Sequence, residues 1–307
     1  MASLLETLAL IEERLHPRAS IAAHHLAGII AINKGAGLLT HPNFGPDPIA
    51  AAKKSGNSEL AVRRGLAPAP EAKPRGNDGP AWIHAPYSMA EEAFELGEGK
   101  VFLCNRLDSA TSGIFILCTD PKLAVILKEQ WSKQAVTKIY LAIQRGGPSR
   151  PFEKWIDTLQ RRGPAEEKGV RMHARQGASK AGGRLAKTIV RRVHQSGSSP
   201  KLSLVAMEPL TGRTHQLRAQ SKLHHCPILG DAKYGDFSFN KAVVERTKEA
   251  KGRLFLHSHV TRLMCEFGGE SIDFVAEAPI PQSFAAVLKG DFAQSTAKTV
   301  KAILAGK

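Results

Sequence analysis

The chain has 307 residues, 42% of them hydrophobic, which is enough for one large domain or two ordinary ones with a buried core and excludes disorder as the main state. Its 43 Lys and Arg against 28 Asp and Glu give a net charge of +15, which points to a polyanionic partner: nucleic acid, an anionic membrane surface or acidic proteins. The longest uncharged stretch near the N-terminus, Ala19 to Asn33, is shorter than the roughly 20 apolar residues of a spanning helix and holds His24 and His25, so no membrane partner is expected. The opening residues lack a basic segment before their apolar part and carry Glu6, Glu12 and Glu13, so no signal peptide is expected and the expected location is the cytoplasm. Cys104, Cys118, Cys226 and Cys265 contain no C-x-x-C pair and are expected to be reduced and buried.

In chain order, Ser3 and Glu6 form a capping box ahead of Leu4, Leu8, Ile11 and Leu15, which predicts a packing helix. Ala27 to Asn33 reads as a buried strand, followed by a glycine-containing turn from Lys34 to Leu39. From Pro42 to Pro80 there are seven Pro and five Gly, the composition of a long loop or insertion. Val101 to Leu103 and Ile114 to Leu117 predict two strands around a turn-rich segment, Asn105 to Gly113. Asp120 and Pro121 then start a helix whose apolar stripe is Leu123, Ile126, Leu127 and Trp131, with Trp131 expected to be a packing residue. Further strands are expected at Lys138 to Ile143, Ile189 to Val193 and Leu202 to Glu208, the last with Leu202, Leu204 and Ala206 alternating against Ser203. A short helix is expected from Thr214, acting as its N-cap, and the residues from Lys289 onward read as a frayed tail or a basic RNA-binding arm. Strands and helices without regular βαβ alternation predict an α+β fold with a mixed, largely antiparallel β-sheet flanked by helices.

The charge is uneven. Lys138 to Lys201 contains fifteen Lys and Arg against four Asp and Glu, a surplus of eleven. Arginine forks suit phosphate oxygens, so Arg161, Arg162, Arg191 and Arg192 are expected to contact RNA backbone and to flank a functional cleft.

Two segments are dense in polar groups: Asn105 to Gly113 (NRLDSATSG) and Thr211 to Arg218 (TGRTHQLR). Singly, each could be a turn that caps its own backbone. Together with INKGAGLLTHP (Ile32 to Pro42), KIYLA (Lys138 to Ala142) and PILGDAKYG (Pro227 to Gly235), taken in order, they resemble the RluA-type RNA pseudouridine synthases.

The resemblance implies the pseudouridine synthase catalytic fold at about residues 27–285, with an insertion at about 43–80, an N-terminal helical segment at 1–26 and a basic C-terminal tail at 286–307. It also implies an isomerase acting on uridines of a structured ribosomal or transfer RNA stem-loop as a monomer, with no metal and no cofactor. Asp108 then matches the catalytic aspartate, which can add to the base or attack ribose C1′. Arg218 matches the arginine that pairs with it, and Tyr140 the active-site tyrosine that stacks on the target base. Arg106 matches the arginine that fills the stack once the uridine is flipped out, and Arg213 is expected to serve backbone phosphate or the local fold.

Two departures stand out: Asn105 replaces the histidine usual before RLD, and the Pro/Gly-rich insertion is extra. They motivate an alternative reading, a catalytically silent RNA-binding or ribosome-assembly factor of the same fold. A metal-dependent hydrolase using His215, His224, His225 and Asp231 is a weaker reading, because adjacent histidines would point to different helix faces and no H-x-x-x-H pair is present.

Overall fold

The computed structural model describes residues 3–41, 81–88, 90–162, 171–177, 183–197, 199, 201–289 and 292–306. The insertion expected at about 43–80 lies outside the described residues. Helix α1 (Leu4–Arg14) starts as expected: Glu6 N–H donates to Ser3 Oγ at 3.2 Å, and Ser3 N–H donates back to the Glu6 carboxylate at 2.6 Å. It buries Leu8 and Ile11 against a cluster containing Trp82, Phe94 and Phe115.

The strands form one continuous, curled sheet built from two halves. The first half contains the hairpin β1 (Ala19–His25) and β2 (Ile29–Lys34), then β3 (Tyr87–Ser88), β4 (Ala93–Leu96), β5 (Gly99–Leu103) and β6 (Ser112–Cys118). The second contains β7 (Thr137–Arg145), β8 (Phe152–Arg162), β9 (Arg171–Gln176), β10 (Arg184–Gln195), β11 (Leu202–Pro209), β12 (Leu256–Phe267) and β13 (Glu270–Glu277). The order is β3-β4-β5-β6-β12-β7-β11-β10-β8-β9, with β2 also on β6 and β13 also on β12. Every pairing between these strands is antiparallel except the seam between the halves, where β6 and β12 run parallel through Ser112 with His257 and Gly113 with Ser258. Gly113 has φ of +106°, and a Cβ there would sit 2.1 Å from the Ser258 carbonyl oxygen, so the seam closes only around glycine. The expected α+β architecture is thus observed.

Helix α2 (Pro121–Ser132) is capped by Asp120, whose carboxylate accepts from the N–H groups of Lys122 and Leu123 at 2.7 and 2.9 Å. It buries Leu123, Ala124 and Leu127, and Trp131 packs partly buried at the edge of the same cluster. All four cysteines are buried and unbonded to one another. Among the described residues no helix is long and apolar enough to cross a membrane.

Several expectations need correction. β11 is buried at nearly every position, Ser203 included, because it lies between β7 and β10 with both faces covered, so its alternation carries no inside and outside. The helix after TGRTH is α3 (Gln216–Leu223), preceded by His215 in the left-handed conformation rather than capped by Thr214. His224 and His225 lie beyond its last turn, not on its faces. Helix α4 spans Phe237–Arg246, and the C-terminal segment folds as α5 (Gln282–Leu288) and α6 (Ala293–Leu304), burying Phe284, Val300 and Ile303 in the main core.

Lys34, at the end of β2, is fully buried. Its Nζ donates to the carbonyls of Asp108 at 3.2 Å, Ser109 at 3.1 Å and Thr111, so one ammonium group gathers the loop between β5 and β6. Burial lowers its pKa from 10.5 to about 7, with Asp108 opposing the shift and Arg18 adding to it. Between those values the unfolded chain holds more protons than the folded one, so the stability linked to Lys34 is constant below about 7 and rises toward 10.5. Urea unfolding of the wild type and Lys34→Met should therefore diverge in favour of the wild type by roughly 1–3 kcal/mol between pH 7 and 9. A difference that stays constant or shrinks would contradict this.

Candidate active site

Asp108 sits in the β5–β6 loop at the seam, in a cleft of about 950 Å³ whose walls come from both half-sheets. Three anchors fix the loop: Lys34 below, the Thr40 hydroxyl donating to the Leu107 carbonyl at 3.3 Å, and Asn105 Oδ1 accepting from Ile116 N–H at 2.8 Å. The Asn105 contact needs only an acceptor, which an amide supplies without a titrating ring.

Arg218 approaches Asp108 from α3 in the other half. Its Nη1 donates to Asp108 Oδ2 at 2.9 Å, while Nε and Nη2 donate to the two oxygens of Asp231 at 2.8 and 2.9 Å. Both Arg218 and Asp231 are buried, and the Arg218 guanidinium lies 5.3 Å from the centre of the Tyr234 ring. Burial alone would lower the Arg218 pKa, but the two carboxylates hold it above the ordinary value. Burial alone would raise Asp231, but Arg218 and the backbone N–H groups of Tyr234 and Lys233 hold it below its ordinary value.

His215 completes the arrangement and was missed as a site residue by sequence reasoning, which weighed it only as a metal ligand. Its backbone has φ of +53° and ψ of +21°, a conformation that costs a β-carbon residue about 1 kcal/mol. This turn sets Nε2 3.6 Å from the same Asp108 Oδ2 that Arg218 holds. On the other side of the ring, Nδ1 lies 2.9 Å from the Tyr234 hydroxyl, which accepts from Met172 N–H of β9 at 2.8 Å. The hydroxyl keeps its own proton to donate to Nδ1, and in the tautomer that accepts it the imidazole proton is on Nε2, facing Asp108. Burial lowers the His215 pKa against the attraction of Asp108, favouring this neutral form. Both groups address Oδ2, and Asp108 Oδ1 accepts no hydrogen bond from the described residues.

Tyr140, on β7 beside β12, also lines the cleft. Burial pushes its pKa up to about 12, and a hydrogen bond from Ser258 only partly offsets the shift, so the side chain is a phenol at neutral pH. Arg106 is exposed at the mouth, with Nη1 2.8 Å from His41 Nε2, and the His41 ring stacks 5.9 Å from that of Tyr87. Arg213 lines the wall with Nε donating to the Leu185 carbonyl at 3.1 Å. Among the described residues the lining carries six Lys and Arg against two carboxylates, Glu92 and Asp108. Trp131, expected only to pack, also faces the cleft.

The other arginines lie apart. Arg161 and Arg162 end β8, paired with Met172 and Arg171, and this end of the hairpin reaches the cleft through the Met172 bond to Tyr234. Arg191 and Arg192 lie at the opposite end of β10, Arg191 opposite Phe152, about nine strand residues or 30 Å away. Arg191 is bonded to Glu208 at 3.0 Å, Arg192 to the Pro148 carbonyl at 3.2 Å, and neither lines the cleft. Three of the four residues of the metal reading have separate partners: Asp231 holds Arg218, His215 meets Tyr234, and His224 binds Asp157 at 3.0 Å and stacks 4.4 Å from Trp155.

Residues 28–223 match the RNA pseudouridylate synthase family. The chain is 34% identical over 166 residues to tRNA pseudouridine synthase C of Haemophilus ducreyi, covering 52% of this chain and 65% of that protein. It is 30% identical over 224 residues to the mitochondrial pseudouridylate synthase RPUSD4 of Xenopus tropicalis, covering 66% and 68%. It is 29% identical over 177 residues to ribosomal large subunit pseudouridine synthase C of Rickettsia felis, covering 58% and 53%. The matched region thus spans between about half and two thirds of these relatives. The fold matches human RNA Pseudouridylate Synthase Domain Containing 1 with a TM-score of 0.58 and 19% identity, covering 94% of this chain and 95% of that one. The family match over residues 28–223, on a sheet of the same fold, makes this chain a member of the RNA pseudouridylate synthase family.

Proposed function

We propose that the chain isomerises uridine to pseudouridine in structured ribosomal or transfer RNA, with Asp108 as nucleophile. The observation that carries this reading is the carboxylate with one oxygen held by Arg218 and approached by His215 and the other oxygen open to the cleft. The bond between ribose C1′ and uracil N1 breaks, the base turns within the cleft, and C1′ joins C5. N1 gains a proton and C5 loses one, so the reaction is redox-neutral, transfers no phosphoryl group and calls for no cofactor.

Arg218 aims Asp108, because Asp231 fixes two of its three guanidinium nitrogens and leaves the third for the nucleophile. Tyr140, neutral at working pH, offers a ring to the extruded base rather than a standing phenolate. Arg106 at the mouth suits the gap that a flipped uridine leaves, which requires its release from His41. Cleft cations, with Arg161 and Arg162 at the adjoining hairpin end, serve the RNA backbone. The relatives' names divide between tRNA and ribosomal large subunit, which supports a structured RNA and leaves the choice to experiment.

RNA labelled with tritium at uridine C5 should release label with the wild type, and Asp108→Asn should slow release by at least about a thousandfold with RNA affinity changed less than about threefold. Label release by Asp108→Asn at the wild-type rate would remove the aspartate from the chemistry, and RNA binding without release by the wild type would favour a silent RNA-binding factor. Replacing Arg161 and Arg162 by Gln should lower the slope of log K against log salt by about 1, whereas the same change at Arg191 and Arg192 should lower it by less than half as much. The reverse ranking would place the RNA at the other end of the hairpin.

A further inference from the structure

Behind the loop that carries Asp108, the seam opens into a second cavity of about 360 Å³, the space of about a dozen waters. Its floor is the buried side chains of Lys34, Ser112 and His257, its wall includes the half-buried Arg253, and its mouth includes the exposed Arg18 and Gln282. Among the described residues no carboxylate lines it. It is separate from the cleft: the two share no lining residue, and Lys34 stands between them with its Nζ on the carbonyls of the Asp108 loop.

Arg253 is the informative group. One of its nitrogens, Nη2, donates to Ser112 Oγ at 3.0 Å, and the guanidinium lies 5.7 and 5.5 Å from the ring centres of Phe255 and Phe284. Its Nε is buried without a hydrogen-bond partner, and it forms no ion pair among the described residues. Burial lowers its pKa with nothing to counter the shift. An arginine so placed leaves a charge and an N–H group uncompensated, an arrangement that costs stability unless an anion answers it.

The neighbouring groups add donors. Ser112 Oγ accepts from Arg253 and lies 2.9 Å from His257 Nδ1. Burial lowers the His257 pKa to about 3, so the ring is neutral, and its Nε2 is buried without a hydrogen-bond partner. Arg18 is anchored at the mouth by Nη1 donating to the Ala36 carbonyl at 3.0 Å. Two guanidinium groups thus border a solvent-connected space floored by the Lys34 side chain, whose Nζ is turned to the loop carbonyls, with no counter-charge among the described lining residues.

We propose that this cavity binds a phosphate-type oxyanion between Arg18 and Arg253, above Ser112 and Lys34. The occupant neutralises the uncompensated guanidinium and, through Lys34 and Ser112, braces the loop that positions Asp108. The oxyanion comes either from the backbone of a bound RNA or from free phosphate.

Calorimetric titration of the full chain with inorganic phosphate tests the site. Saturable one-to-one binding is expected, weakened about tenfold by Arg253→Gln and by Arg18→Gln and unchanged by Arg213→Gln in the cleft. Because Arg18 is exposed, Arg18→Gln remains decisive if Arg253→Gln fails to fold. Absence of saturable binding, or binding that Arg213→Gln removes and Arg18→Gln leaves intact, overturns the proposal. If RNA supplies the phosphate, inorganic phosphate competes with RNA and Arg18→Gln weakens RNA binding; if free phosphate is the ligand, it binds the RNA-loaded protein equally well. These readouts involve no turnover, so their failure leaves the isomerase reading standing.

Discussion

The site depends on one shared guanidinium. Arg218 satisfies the buried Asp231 with two nitrogens and reaches Asp108 with a third, so a charge that burial disfavours is held in place by two carboxylates. The arrangement is also the electrostatic link between the half-sheets: Asp108 belongs to the β5–β6 loop of one, and Arg218 and Asp231 follow β11 in the other. Removing Arg218 leaves two carboxylates, one of them buried, without their shared counter-charge, the costly case for an internal ion pair.

Much of the molecule serves to bring these groups to one seam. Gly113 allows β6 to meet β12, Lys34 draws in the carbonyls flanking Asp108, and Gln216 fastens the TGRTHQLR turn to β10 through Lys187 and Thr188. Gln220 and His224 then tie α3 to the buried Asp157 of β8. Helix α3 is therefore buried through polar side chains rather than an apolar stripe, which makes its position stiff and its partners specific. Chain entering from β9 adds a further link, since Met172 orients Tyr234 and Tyr234 orients His215.

What the sequence made legible was local. The Ser3 and Glu6 capping box, the Asp120 and Pro121 start of α2 and the turn after β5 are encoded within a few residues, and each appears where its pattern lies. Asp108, Tyr140 and Arg218 were found through ordered motifs, and the cleft brings all three together. His215 was not legible as a neighbour of Asp108 because its role depends on a left-handed backbone turn and on a tyrosine nineteen residues away. Nor was the distribution of the basic surplus: arginines close in sequence along β8 and β10 stand at opposite ends of a long hairpin, and most of the cleft's cations come from outside that segment. The C-terminal residues looked like a tail because their apolar positions are sparse, yet Val300 and Ile303 suffice to seat α6 on the core.

The central claim is that Asp231 acts through Arg218 on Asp108, and a double-mutant cycle of single-turnover pseudouridine formation tests it most directly. Arg218→Gln, Asp231→Asn and the double variant would be compared after unfolding measurements confirm that each is folded. If the three residues form one unit, the double variant should be within about threefold of Arg218→Gln, because the path from Asp231 is already broken. Losses that multiply in the double variant would mean that Asp231 and Arg218 act independently, and would contradict the account.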